Sequence, residues 1–345
     1  MVRAVDVDPK ENPRRIAEHL LQEFAGGDGR TVVGYRNGTR TTLRVRRAEL
    51  DGEVAPPPGL GRESVLLLTG GARGITAVAA RALARLTGCH VELIGRTPAP
   101  SAPEDPATTS APDMSALRAA LARQGGGRPT EIDAAARRIL REREILGTLE
   151  ELRGVAASVR YHAADVRDAD AVRAIVEDIH ARHGRLDGIV HGAGLLEDRL
   201  LGDKTPDSFA RVYATKVDGF RALLKAIAPV GTQDGDERPP VGFVAAFGSV
   251  SGVFGNRGQT DYAAANDALD SLCHAWAARL PGRVVAIDWG PWAGGGMVSP
   301  DLGREYARRG ITLIDPDAGV ACLLRELSHG QDAQVVYMCG ETNDV

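Results

Sequence analysis

Cysteine is scarce and never paired in this sequence: Cys89, Cys273, Cys322 and Cys339 stand far apart, and no C-x-x-C occurs. The histidines show no H-E-x-x-H or similar ligand spacing. A disulfide framework and a structural zinc therefore have no basis, and no metal site is expected; the pattern fits a reducing cytoplasm. No apolar run approaches the roughly 18 residues of a membrane span, and the opening MVRAVDVDPKENPRR lacks the apolar stretch of a signal peptide. A large charge of one sign is also missing, since 42 basic and 46 acidic side chains leave a net charge of −4. That balance argues against a nucleic-acid or membrane-surface partner. A soluble cytoplasmic protein is the expectation.

What is present divides in two. Residues 1–60 carry an amphipathic stretch, RRIAEHLLQEF, then two β-like runs, RTVVGYR and TRTTLRVRR, joined by an Asn37-Gly38 hairpin signal. The linker APPPGLGRE follows, its three prolines suiting an extended, exposed chain. From Ser64 onward six short apolar runs alternate with helical stretches: SVLLLTG, HVELIGR, SVRYHAADV, GIVHGAG, VGFVAAFGS and RVVAIDWG. This order predicts an α/β fold, a Rossmann-type doubly wound parallel sheet with helices on both faces. The predicted division is residues 1–60 as a separate N-terminal segment and linker, and 61–345 as the α/β domain. The connection after the second run far exceeds the dozen or so residues a crossover needs. It reads as an insertion over about 97–153, with a flexible Pro/Ser/Ala-rich front half and a charged helical back half. Its charges suit a solvated helix face, or alternatively a docking surface for a partner domain.

The first predicted strand runs into TGGARGIT, residues 69–76, and then into a helix, the context in which a glycine-rich turn binds a dinucleotide. Thr69 closes the strand, Gly70 and Gly71 permit backbone close to a pyrophosphate, and Gly74 and Ile75 open the helix whose free N–H groups favour phosphate. Thr76 replaces the third glycine of the usual pattern. The second strand ends in LIGRT, placing Arg96 where an NAD-binding chain carries an acid, and Arg73 lies inside the loop. Two guanidinium groups suit a 2′-phosphate, so NADPH is expected over NADH. Asp165 and Val166 offer a seat for the adenine, and Gly192, Ala193 and Gly194 give small residues where the nicotinamide ribose passes.

TGGARGIT, ADV, HGAG, KVDG, FGSVSG, YAAAN and WGPW together resemble, in order and spacing, the short-chain dehydrogenase/reductase superfamily. More narrowly, residues 64–340 resemble the ketoreductase domains of multifunctional polyketide and polyunsaturated-fatty-acid synthases. GGARGITA and the insertion ending REREI are most similar to the polyunsaturated-fatty-acid and enediyne iterative types. Residues 1–60 resemble the tail of the truncated structural subdomain that precedes such domains.

Many short-chain reductases place a lysine four residues after the tyrosine, where this chain has Asn266 after Tyr262. The resemblance implies that the lysine comes instead from KVDG, as Lys216, which also reaches the nicotinamide ribose. A tyrosine has an unperturbed pKa of about 10, and a cation within about 4–6 Å favours its ionised form. Tyr262 is then the general acid, Ser249, thirteen residues earlier, donates to the carbonyl oxygen, and Asn266 holds a water or backbone group in a proton relay. Ser251 competes with Ser249, but its offset is two residues short of the family spacing.

The resemblance implies a β-ketoacyl thioester on an acyl carrier protein as substrate, with other synthase domains as partners. GLLED, residues 194–198, resembles the LDD loop of D-specific ketoreductases, with Glu197 in place of the first aspartate and Asp198 retained. The other stereochemical class has tryptophan where this chain has Phe254, so the D-alcohol is expected. The segment WGPWAGGGMVSPDLGREYARRGI reads as a mobile lid, with Pro291 on the cofactor side and Trp292 and Met297 as candidate substrate contacts. A free-standing reductase of a soluble ketone or coenzyme A ester is a second reading; residues 1–60 speak against it, since a minimal reductase has no need of them. A non-catalytic dinucleotide-binding scaffold is a third; it would have lost Tyr262, Ser249 or Lys216.

Overall fold

Each of the six apolar runs forms a strand in the computed structural model, which describes residues 3–26, 28–125, 127–228, 239–294, 304, 306, 308 and 311–339. The chain divides into two compact units, Met1–Glu49 and Leu50–Glu341.

In the first unit, β1 (Ala4–Val7) leads through α1 (Pro13–Ala25) to β2 (Val32–Arg36), which runs parallel to it. The expected hairpin then brings β3 (Thr39–Thr41) back antiparallel. Asn37 and Gly38 both take positive φ, 51° and 76°, as a two-residue turn of the right twist demands. Strand β1 is an addition to the sequence expectation, because only four residues with a weak alternation carry it.

The second unit contains a seven-stranded, wholly parallel sheet in the order β10-β9-β8-β7-β4-β5-β6. Its strands are β4 (Val65–Thr69), β5 (His90–Gly95), β6 (Ser158–Ala163), β7 (Gly188–His191), β8 (Phe243–Ser249), β9 (Arg283–Trp289) and β10 (Gln334–Tyr337). The seventh, β10, is an addition to the six expected; it is a short edge strand, half-buried throughout, and so lacks a continuous apolar run. Alternate residues of β4 face opposite layers. Leu66 and Leu68 meet α2 (Gly74–Thr87) and the inserted helix α5 (Pro129–Arg153) through Leu83, Ile145 and Leu149. Val65 and Leu67 meet α6 (Ala169–His183), α7 (Pro206–Ile227) and α9 (Thr260–Ala277) through Val176, Phe220 and Leu269.

The insertion corrects the expectation of a flexible front half. Residues there form α3 (Pro106–Thr109) and α4 (Met114–Arg123), each N-capped by an aspartate, Asp105 and Asp113. Ala111, Leu117 and Ala120 pack on Ala136 and Ile139 of α5, and Arg143 ties the layers by donating to Glu104 and to the carbonyls of Thr108 and Ala111.

Chain order along the sheet reverses at β4: successive strands go outward to β5 and β6, then return to β7 on the other side. The carboxyl ends of β4 and β7 therefore diverge into a crevice, the place where open α/β sheets bind ligands. Thr69 and His191 end those two strands. A last helix, α10 (Pro316–His329), covers the β9 and β10 side. Among the described residues no helix is long and apolar enough to cross a membrane.

Candidate active site

At the tip of β4, Gly70 adopts φ 73°, and a Cβ there would stand 3.2 Å from the backbone of Gly192 and Ala193. Gly71 is equally confined, its missing Cβ falling 2.7 Å from Leu93 and 2.8 Å from Leu68. The TGGARG and HGAG segments thus touch backbone to backbone. Thr76, the departure from the glycine pattern, is accommodated by Gly192, where a Cβ would fall 1.9 Å from the Thr76 hydroxyl. Thr69 links the two loops: its hydroxyl meets His191 Nδ1 at 2.8 Å and accepts from the Ala193 N–H at 3.4 Å. His191 Nε2 lies 2.9 Å from the Lys216 carbonyl, and burial pushes this imidazole's pKa down to about 3, so it is neutral.

Helix α2 begins at Gly74 with Arg73 as its N-cap, and that cap makes no side-chain hydrogen bond of its own. Instead Glu144 of α5 accepts from Gly74 N–H at 2.8 Å and from Arg73 Nε at 2.6 Å. Ile75, next in the helix, is half-buried. Arg96 is exposed just past β5 and helps to lower the pKa of Asp165, whose main partner is Arg167. Val166 is buried where Gly219 of α7 leaves room for it. Glycines at the points of closest approach, a helix N-terminus and two cationic side chains suit a dinucleotide.

The expected reacting groups come from three elements. Lys216, on the buried face of α7, donates from Nζ to the Phe247 carbonyl of β8 and lies 5.7 Å from the centre of the Tyr262 ring. Tyr262 is in the first turn of α9 and hydrogen-bonds Ser249, which ends β8. Ser249 also caps the short α8 (Val250–Phe254) by accepting from Ser251 N–H at 3.2 Å. Asn266, one turn beyond Tyr262, donates to the Tyr262 carbonyl at 2.7 Å, while its buried Oδ1 has no partner among the described residues. Lys216, Ser249, Tyr262 and Asn266 are thus together. Ser251 is not with them, because its hydroxyl is held by Gln259 at 2.8 Å.

The electrostatics depart from expectation in one respect. Burial pushes the Tyr262 phenol up to about 12, with the charges of Asp198 and Asp288 acting the same way, while Ser249 and Asn266 draw it down. Desolvation acts on both partners, since the Lys216 ammonium is itself lowered to about 8 by burial, against the pull of Asp288 and Asp270. These two buried carboxyls, on β9 and two turns past Tyr262 on α9, are both held above the usual range by burial, and the Asp288 charge raises Asp270 further. Asp261 fixes the start of α9 by accepting from Tyr262 N–H at 2.9 Å and by a buried ion pair with Lys204 at 2.7 Å.

Candidate substrate residues are scattered. Asp198 accepts from Gln259 Nε2 at 2.9 Å, whereas Glu197 turns to Arg211 and Ser208. Phe254 is exposed at the end of α8. Trp292 is a core residue, set edge-on to Trp289 at 5.1 Å. The Pro291 carbonyl receives Ile314 N–H at 2.7 Å, and Gly194 is half-buried after β7. Met297 and most of the expected lid lie outside the described residues. Sequence reading missed His191, Lys204, Gln259, Glu144, Asp270 and Asp288. Of these only Asp270 had a signal, continuing the four-residue spacing of Tyr262 and Asn266 on one helix face.

Residues 64–294 match the family model described as the KR domain. Over 348 residues the chain is 31% identical to a polyunsaturated fatty acid synthase polypeptide of Thraustochytrium sp., covering 97% of this chain and 12% of that protein. Polyketide synthase PksN of Bacillus subtilis is 27% identical over 355 residues, covering 99% of this chain and 5% of that one. The chain therefore spans a small part of the length of these relatives. Among solved structures, a ketoreductase domain from the bacillaene assembly line aligns with a TM-score of 0.70 at 27% identity, over 97% of this chain and 69% of that one. The first ketoreductase of the tylosin polyketide synthase aligns with a TM-score of 0.69 at 28% identity, over 97% and 60%.

Proposed function

The chain belongs to the KR-domain family, a ketoreductase of the short-chain dehydrogenase/reductase type, and on that premise we propose that it uses NADPH to reduce the β-ketone of an acyl thioester borne by an acyl carrier protein, giving the D-β-hydroxyacyl thioester. The observation that carries this reading is the meeting of Lys216 and Tyr262 from separate helices, with Ser249 bonded to the phenol.

In this reading NADPH, when bound, supplies the hydride. Thr69, Gly70, Gly71, Gly74 and Ile75 hold its pyrophosphate, Arg73 and Arg96 its 2′-phosphate, Asp165 and Val166 its adenine, and Gly192, Ala193, Gly194 and Pro291 line its nicotinamide end. Ser249 donates to the substrate carbonyl oxygen and stabilises the charge that develops there. Tyr262, whose pKa of about 12 keeps it protonated at neutral pH, delivers its proton to the same oxygen. Lys216 carries the positive charge that favours the departing proton, and Asn266, with an unpartnered buried Oδ1, is suited to hold a water that returns it. Asp198, steadied by Gln259, and Phe254 flank the substrate entrance and favour the D face. The long parent proteins of the relatives support other synthase domains as partners.

NADPH oxidation with a short β-ketoacyl thioester, free and then on a carrier protein, tests the reading, followed by chiral analysis of the product. Turnover rising on the carrier, with mainly D product, is expected. Equal turnover of the free coenzyme A ester would favour a free-standing reductase, and none on either a binding scaffold.

A further inference from the structure

Two of the groups assigned to the cofactor's phosphates, the N–H that opens α2 and the guanidinium of Arg73, are both engaged by one carboxylate of the inserted helix. Glu144 places Oε1 at 2.8 Å from Gly74 N and Oε2 at 2.6 Å from Arg73 Nε. An anion chelated between a helix N-terminus and an arginine has the local chemistry of a bound phosphate. Arg73 supplies no cap of its own, so the carboxylate serves α2 from another helix.

The backbone beneath Glu144 is held by packing and by side-chain ties. Ile145, Leu149 and Leu152, which follow it on α5, are buried in the layer that contains Leu83, Ala80 and Ala84 of α2. Arg143, just before it, is tied to Glu104, and Arg81 of α2 reaches both Thr148 and Glu151. The Glu144 side chain, by contrast, is 41% exposed and its Arg73 partner 46% exposed. Only a side-chain rotation is needed to free both donors.

We propose that Glu144 is a built-in competitor of the dinucleotide's phosphate, through which the insertion sets cofactor affinity. This rests on the NADPH reading above. A second anion cannot take the Gly74 N–H and the Arg73 Nε–H while the carboxylate holds them, and the two negative charges repel. Binding of NADPH therefore requires that the carboxylate leave, and part of the binding free energy is spent on breaking its two bonds. The isosteric change Glu144→Gln removes the charge, weakens the hold on Arg73 and preserves the shape of α5.

The dissociation constants of NADPH and NADH, measured by equilibrium fluorescence titration without substrate, test this in wild type, Glu144→Gln, Glu144→Ala, Arg73→Ala and the Arg73→Ala/Glu144→Gln double variant. Glu144→Gln and Glu144→Ala should tighten NADPH binding by roughly tenfold. The gain should be smaller for NADH and should shrink when Arg73 is already absent. Unchanged or weaker NADPH binding in both Glu144 variants, with Arg73→Ala still weakening it, would overturn the proposal and make Glu144 a support for Arg73. A wild type that does not prefer NADPH, with Arg73→Ala neutral, would instead sink the cofactor reading itself.

Discussion

The ammonium of Lys216, on α7, stands 5.7 Å from the centre of the Tyr262 ring, on α9. Both groups are buried, yet they titrate in opposite directions: the lysine is lowered to about 8 and the tyrosine raised to about 12. A reduction that needs the lysine charged and the tyrosine protonated should therefore fail on the alkaline side through the lysine. We expect kcat/KM to fall as pH rises through about 8, while the phenol keeps its proton. Lys216→Arg should move that limb upward, because a guanidinium stays charged. A limb that does not move in Lys216→Arg would assign it to another group.

Tyr262→Phe removes the only proton this scheme offers to the carbonyl oxygen. Reduction should drop by about 10²–10⁴-fold with NADPH binding intact, as a titration would show. Ser249→Ala should cost about 10²–10³ in kcat for the lost oxyanion donor. Because Ser249 also caps α8, the same change should lower stability by about 1 kcal/mol, and a thermal melt separates the two effects. Retained turnover in Tyr262→Phe would exclude it as the acid.

Arg96 is exposed, whereas Arg73 is paired with Glu144. The two should therefore contribute unequally to the choice of cofactor. Arg96→Ala alone should cut the NADPH to NADH preference by about tenfold or more, in keeping with roughly 1.5–3 kcal/mol for a charge-assisted hydrogen bond. Arg73→Ala should cost less, and the double change should abolish the preference. Selectivity unaltered in the double variant would place 2′-phosphate recognition elsewhere.

How much of this was legible follows from what each residue depends on. The inner strands β4, β5, β7, β8 and β9 were readable because a sheet covered on both faces demands largely apolar runs, as in Val65–Thr69, whereas β6, at one edge, is polar and only partly buried. Strand β10, at an edge and half-buried, has no such run. Helices α3 and α4 were hidden by a composition that suits loops, although the Asp105-Pro106 start is a helix signal in its own right. Tyr262 and Asn266 share a helix face that spacing reveals. Glu144 and His191, by contrast, acquire their roles only through tertiary contacts with Gly74 and Thr69, which no local pattern encodes.

Thr76 and Gly192 are directly coupled by packing. A Cβ on residue 192 would lie 1.9 Å from the Thr76 hydroxyl and 3.0 Å from its Cβ, and Thr76 is 2% exposed, with no open side to move toward. Gly192→Ala should therefore destabilise the protein by about 1–3 kcal/mol, the usual range for overpacking. Thr76→Gly alone should also destabilise, by about 1 kcal/mol for glycine in a helix. The two costs should not add: with the threonine gone, the alanine methyl has room, and the double variant should recover at least about 1 kcal/mol relative to the sum. Chemical denaturation of the four proteins measures this coupling. Strict additivity would mean that the loop after β7 shifts away from α2 to admit the methyl group, and NADPH binding, for which the proposed reading uses both loops, should then weaken in Gly192→Ala even where stability is spared.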